Sequence, residues 1–188
     1  MMELDTLYRN DRITSAQEHR ATRINRTIVD QLQNKLPRQP HIDKKVVICS
    51  SLRETSELGG QMIADMFEST GWDVRFLGGG LNNDDILAYI HQFCPHILII
   101  YGTESAEASE VRGIIDRIKE INAWPEMKIM LSGGVFGRAE GLWEEIGADL
   151  FAANPIEAVQ VASNGNQVKC RPVRTINQRK RKRFALSA

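Results

Sequence analysis

Two glycine-rich runs, Gly78-Gly79-Gly80 and Ser132-Gly133-Gly134, could bring bare backbone N–H groups against a phosphate. Neither continues as a phosphate-binding fingerprint, so each reads as a tight turn from strand to helix. Ser56 lies outside any nucleophile-elbow pattern, which argues against a hydrolase. His41, His91 and His96 fall in a linker, on a helix surface and at a strand entry, and suggest no metal cluster. Cys49, Cys94 and Cys170 lack metal-ligand spacing and form no even framework, so they read as reduced, unpaired thiols in a cytosol. Glu104, Glu107 and Glu110 read as a solvated helix start, where negative charge suits the helix dipole. Glu18 fits the end of a capping box that begins at Ser15, with His19 an exposed helical neighbour. No recognisable catalytic machinery emerges.

The elements that position these residues are readable from periodicity. Val46–Ser50, Trp72–Leu77, Ile97–Tyr101, Lys128–Leu131 and Asp149–Ala153 read as strands. The run Ile97-Leu-Ile-Ile-Tyr101 has no polar alternation, as expected of a strand buried on both faces. Helices alternate with them over Gln61–Thr70, Asp84–Phe93 (capped by Asn82 or Asn83), Ser105–Asn122 and Glu140–Ile146, with a last one from Pro155. Five strands alternating with helices predict a doubly wound α/β domain from about Lys44 to about Ala162. The flavodoxin-like order 2-1-3-4-5 is the usual solution at this length. It places a ligand crevice between strands one and three, lined by Ser51–Gly59 and Gly102–Ser105.

A helical segment over residues 1–38 precedes this domain. Ile24, Ile28, Leu32 and Leu36 recur every four residues, Pro37 and Pro40 end the helix, and a shorter helix covers Glu3–Arg9. Residues 163–188 form a basic tail, expected to be disordered. The 24 Lys and Arg balance 24 Asp and Glu, but eight of the cations follow Glu157, the last acid. The tail reads as a solvated end, an arm for nucleic acid or an acidic partner, or a segment folded back on the acidic body. A hydrophobic fraction of 42% and a charged fraction of 26% suit a globular protein. The polar start MMELDTLYRND is unlike a signal peptide, and no run approaches a membrane span, so a cytoplasmic location is expected.

The run Glu54-Thr-Ser56-Glu-Leu-Gly59 resembles the cobalamin-binding domain family of methionine synthase, corrinoid methyltransferase subunits and cobalamin-dependent light sensors. That family has an acid, any residue, a histidine, two residues and a glycine here. Gly71-Trp-Asp-Val-Arg-Phe-Leu-Gly78, Ser132-Gly133-Gly134-Val-Phe and Gly147–Val159 are similar to its second strand, its fourth strand and turn, and its ending. Upstream, Ile13–Thr22 is similar to the helical cap whose Glu-His pair, here Glu18-His19, faces the upper side of the corrin. Tyr8 stands ten residues before Glu18, where the light sensors have a tryptophan. The resemblance implies a cofactor site of Tyr8, Glu18, His19, Glu54, Ser56, Gly59, Tyr101, Gly102, Thr103, Ser132, Gly133 and Gly134.

The departures matter as much. Ser56 replaces the histidine that ligates cobalt from below, and a hydroxyl is a poor ligand for cobalt. Glu54 then has no histidine to orient. Tyr101 takes the place of a serine beside the slot for the cofactor's nucleotide tail, where a phenol crowds the space; a shift of one residue would put Gly102 there and leave the slot open. His19 is then the one metal ligand that the resemblance leaves, from above. The residues before Pro37 suffice for one long and one short helix, whereas the family's cap has four helices. The apolar stripe therefore implies a homodimer or a hetero-complex through the N-terminal helix. The leading reading is a non-catalytic sensory or regulatory protein. It binds cobalamin or a related tetrapyrrole without the lower histidine, or has lost the cofactor and acts through protein contacts. The alternatives are a corrinoid-carrying methyltransferase subunit and a plain interaction module.

Overall fold

The computed structural model describes residues 2–50, 57–103, 108–138 and 140–164. Glu54, Ser56 and the basic tail lie outside the described residues. The α/β unit is built from β1 (Lys45–Ser50), α3 (Leu58–Ser69), β2 (Asp73–Gly78), α4 (Asn83–Phe93), β3 (Ile97–Tyr101), α5 (Ala108–Ile121), β4 (Lys128–Ser132), α6 (Gly134–Arg138), α7 (Leu142–Ile146), β5 (Leu150–Ala152) and α8 (Pro155–Asn164). Before it come α1 (Met2–Arg9) and α2 (Ser15–Gln33). All strand pairs are parallel, in the order β2-β1-β3-β4-β5. Every residue of β3 is buried, as its unbroken apolar run requires of a strand with helices on both faces.

The side-chain alternation of the strands divides the core in two. Val47, Cys49, Leu98, Ile100 and Leu131 pack with Ile90 of α4 and Ile115 of α5. Val46, Ile48, Ile99, Tyr101 and Met130 pack with Phe67 of α3 and Val161 of α8. Cys49 belongs to the first group, and its burial pushes the thiol up to about 12, which leaves it unreactive at neutral pH. Among the described residues, no helix is long and apolar enough to cross a membrane.

Three sequence expectations are corrected. The capping box of α2 is Thr14–Gln17, one residue earlier than expected: the Gln17 N–H donates to Thr14 Oγ1 at 3.3 Å and the Thr14 N–H to Gln17 Oε1 at 2.8 Å. Glu18 is thereby released from the capping role. Helix α3 begins at Leu58, not Gln61, so Gly59 and Gly60 are helical. Gly134 opens a short helix, α6, where a turn was expected. Of the two candidate caps of α4, Asn82 is the one used, accepting from the Asp85 N–H at 2.9 Å.

Candidate functional site

The strands' C-terminal ends bring together the turns that follow β3 and β4. Gly102 extends the ladder by donating its N–H to the Ser132 carbonyl at 3.0 Å. Ser132, fully buried, donates its hydroxyl to the Ala152 carbonyl at 2.8 Å. Gly133 has φ +109°, and a Cβ there would stand 2.1 Å from the Gly102 carbonyl oxygen. The two turns thus touch backbone to backbone, which only glycine permits. Thr103 is half-buried beside them, and Gly134 is exposed at the start of α6.

Tyr101 closes the space between the sheet and α3. It ends β3 on the side covered by α3 and α8, and is buried. Its ring lies directly on Gly59: a Cβ there would meet Tyr101 Oη at 2.2 Å and Cζ at 2.3 Å. On β1 beside it, Ser50 is buried to 1% exposure, and its Oγ makes no hydrogen bond among the described residues. That hydroxyl turns toward α3, where a Cβ on Gly60 would stand 3.4 Å from it.

Glu57, immediately before α3, was not singled out by the sequence reading. Its Oε1 accepts the Gly79 N–H at 2.8 Å, and its Oε2 receives Arg26 at 3.3 Å. A further contact joins Gln33 Nε2 to Glu68 Oε2 at 3.4 Å. Residue numbers rise together along both helices, so α2 runs parallel to α3. Since α3 starts at the sheet's C-terminal edge, the N-terminal half of α2 projects past that edge. At 1.5 Å per residue, His19 lies about 10 Å beyond Arg26 along the axis.

Glu18 and His19 are therefore carried above the crevice level. Glu18 is half-buried and accepts the Thr22 hydroxyl at 2.7 Å. The His19 side chain is 75% exposed, with Nε2 3.9 Å from Glu18 Oε2. Tyr8, 45% exposed, lines an open concavity of about 300 Å³ with Arg12, Ile13 and Gln17. Neither Glu18 nor His19 belongs to that concavity. Among the described residues, no three His, Cys, Asp or Glu side chains are grouped to hold a metal ion.

A five-stranded parallel sheet in this order, with glycine turns meeting at its C-terminal edge and a helix projecting above it, defines a class of ligand-binding α/β domain. Residues 44–160 match the B12 binding domain family, and the chain belongs to that family. Its sequence is similar to monomethylamine corrinoid protein 1 of Methanosarcina acetivorans, 26% identical over 111 residues, 57% of this chain and 50% of that protein. The corresponding protein of Methanosarcina mazei is 27% identical over the same extent. The chain thus spans about half the length of the curated relatives it matches. In fold it is similar to the monomethylamine corrinoid protein of Methanosarcina barkeri (TM-score 0.75, 19% identity, covering 84% of this chain and 74% of that one). It also resembles a cobalamin-binding protein of Desulfitobacterium hafniense DCB-2 (TM-score 0.60, 18% identity, covering 86% and 76%).

The described residues fit that cofactor only in part. The edge turns leave a backbone floor at Gly102 and Gly133. Beside the slot between β1 and β3 that the resemblance assigns to the nucleotide tail, the Tyr101 ring fills the space against Gly59. A base-off cofactor with its tail inserted does not fit this arrangement.

Proposed function

We propose that the chain is a regulatory or sensory corrinoid-binding protein whose cofactor takes no ligand from the loop before α3. The observation that carries this reading is the Tyr101 ring seated on Gly59, together with serine at position 56. Both remove what a lower ligand and an inserted tail require. Corrinoid chemistry at the cobalt would be supplied by the bound group. The chain's part is to hold the ring over the Gly102 and Gly133 turns and cover it with α2. His19, exposed on the projecting half of α2, is the candidate upper ligand, with Glu18 beside it and Tyr8 at the rim.

The test is spectroscopic. Hydroxocobalamin added to the wild-type chain is expected to shift its visible absorption, and His19→Ala is expected to cancel that shift while binding persists. An unchanged spectrum in the variant eliminates His19 as a ligand.

A second reading is favoured by the similarity to monomethylamine corrinoid proteins: a corrinoid carrier serving a methyltransferase. One solved structure of similar fold is a methanol:cobalamin methyltransferase complex from Methanosarcina barkeri (TM-score 0.59, 13% identity, covering 85% of this chain and 60% of that one). Methyl transfer from bound methylcobalamin to a thiol or amine acceptor, in the presence of such an enzyme, would favour the carrier over the sensor.

Both readings need a docking face, and α2 offers one. Ile24, Ile28 and Leu32 are 52%, 48% and 50% exposed, and no residue of α2 is buried. Covering each such side chain is worth roughly 1.5–3 kcal/mol. Sedimentation at micromolar concentration is expected to show a dimer, or a complex once the partner is added. Ile28→Asp is expected to dissolve it. A wild-type chain that stays monomeric with every candidate partner removes this role. The basic tail is proposed to add salt-sensitive attraction for nucleic acid or an acidic partner.

A further inference from the structure

We propose that Tyr101 is a specificity plug: it makes the domain accept corrinoids whose nucleotide stays outside the α/β unit, either folded back on cobalt or missing altogether. The inference rests on the corrinoid reading above, but its physical basis is local. Tyr101 is buried at the end of β3, and its phenol occupies the space above the first turn of α3 so fully that not even a Cβ fits on Gly59. Behind it lies a site already suited to a polar aromatic guest. Ser50 places a buried hydroxyl with no hydrogen-bond partner among the described residues beside the plug. Gly59 and Gly60 bring α3 close with bare backbone, and a Cβ at Gly60 would press on Phe76 at 3.0 Å. A buried hydroxyl with no partner among the described residues costs free energy, unlike an apolar group in the same place. The plug and a nucleotide base are both flat aromatic groups, and one volume holds only one of them.

The consequence concerns selectivity. A domain that reads the tail distinguishes cobalamin from cobinamide, the same corrin without the base. A plugged domain does not, because the part that differs stays in solvent. Wild-type protein is expected to bind methylcobalamin and cobinamide within about threefold of one another, with the absorption spectrum of bound methylcobalamin that of a base still on cobalt. Tyr101→Ser opens the slot and is expected to raise the preference for cobalamin about tenfold. Tyr101→Phe keeps the ring and is expected to behave as wild type.

A second arm needs no corrinoid. Free 5,6-dimethylbenzimidazole is expected to raise the melting temperature of Tyr101→Ser, because cavities left by aromatic truncation take up aromatic molecules, and to leave wild type unmoved. Tyr101→Val serves the same purpose if the serine variant does not fold. Wild-type protein that prefers methylcobalamin over cobinamide by about tenfold or more, with a base-off spectrum, overturns the plug. So does wild-type protein stabilised by dimethylbenzimidazole. If neither corrinoid binds wild type, the corrinoid reading falls, and the plug is decided by the dimethylbenzimidazole arm alone.

Discussion

Gly133→Ala is expected to cost about 3 kcal/mol or more of folding stability, a large share of a typical domain's total. Two penalties coincide at that position. The backbone sits at φ +109°, which a side-chain-bearing residue rarely adopts, and the new Cβ would stand 2.1 Å from the Gly102 carbonyl oxygen. The obstacle is backbone, so no rotamer change relieves it. Gly80→Ala is the matched control: φ is +77°, but nothing lies within 4 Å of its Cβ. Conformational strain alone should cost about 1–2 kcal/mol there. Urea midpoints of the two variants measure the difference. Equal losses would mean that the Gly102–Gly133 contact carries no weight, and with it the rigidity of the crevice floor.

Gly59→Ala is expected to reverse sign with its background. Inside a helix, glycine to alanine ordinarily stabilises by about 1 kcal/mol. Here the added methyl would meet the Tyr101 phenol oxygen at 2.2 Å, in a packed core. In wild type the substitution should destabilise by about 2–3 kcal/mol, the usual range for overpacking. In a Tyr101→Ser background the obstacle is gone, and the same alanine should become neutral or stabilising. The double-mutant cycle should give a coupling of about 3 kcal/mol, the upper end for contacting residues. Additive effects would place the phenol somewhere other than against α3.

The elements that were legible in the sequence are those with one dominant signal. Strand β3 runs Ile97–Tyr101 as expected, because an unbroken apolar run between polar turns has few other solutions. The strand order followed from alternation of strands and helices with right-handed crossovers. The cap of α2 was misplaced because Thr14-x-x-Gln17 and Ser15-x-x-Glu18 both satisfy the capping-box pattern. Nothing local chooses between them. The start of α3 was set too late because Gly59-Gly60 reads as a turn by propensity. Both positions are helical, and Tyr101 and Phe76, distant in sequence, leave no room there for a Cβ. Tertiary contact overrode local preference there.

The candidate site divides along the same line. The sequence pointed to Tyr101 as a residue crowding a slot, and the structure places its ring on Gly59. Glu57 passed unnoticed, because an acid beside a helix start looks like dipole compensation. Its bond to the Gly79 N–H depends on a glycine turn 22 residues away. Ser50 passed unnoticed for the opposite reason. A serine ending a buried strand becomes notable only when its hydroxyl has no partner among the described residues.

The attachment of α2 has a mechanical consequence. The helix buries none of its residues, and two polar contacts, Arg26 to Glu57 and Gln33 to Glu68, join it to α3 along its lower half. It is held to α3 near its base, while α1 packs against it. A joint made of exposed charge softens as ions screen it, whereas the sheet below is held by apolar burial that salt does not weaken. Raising the ionic strength is therefore expected to loosen the Arg26–Glu57 link between α2 and α3 while leaving the apolar sheet core intact.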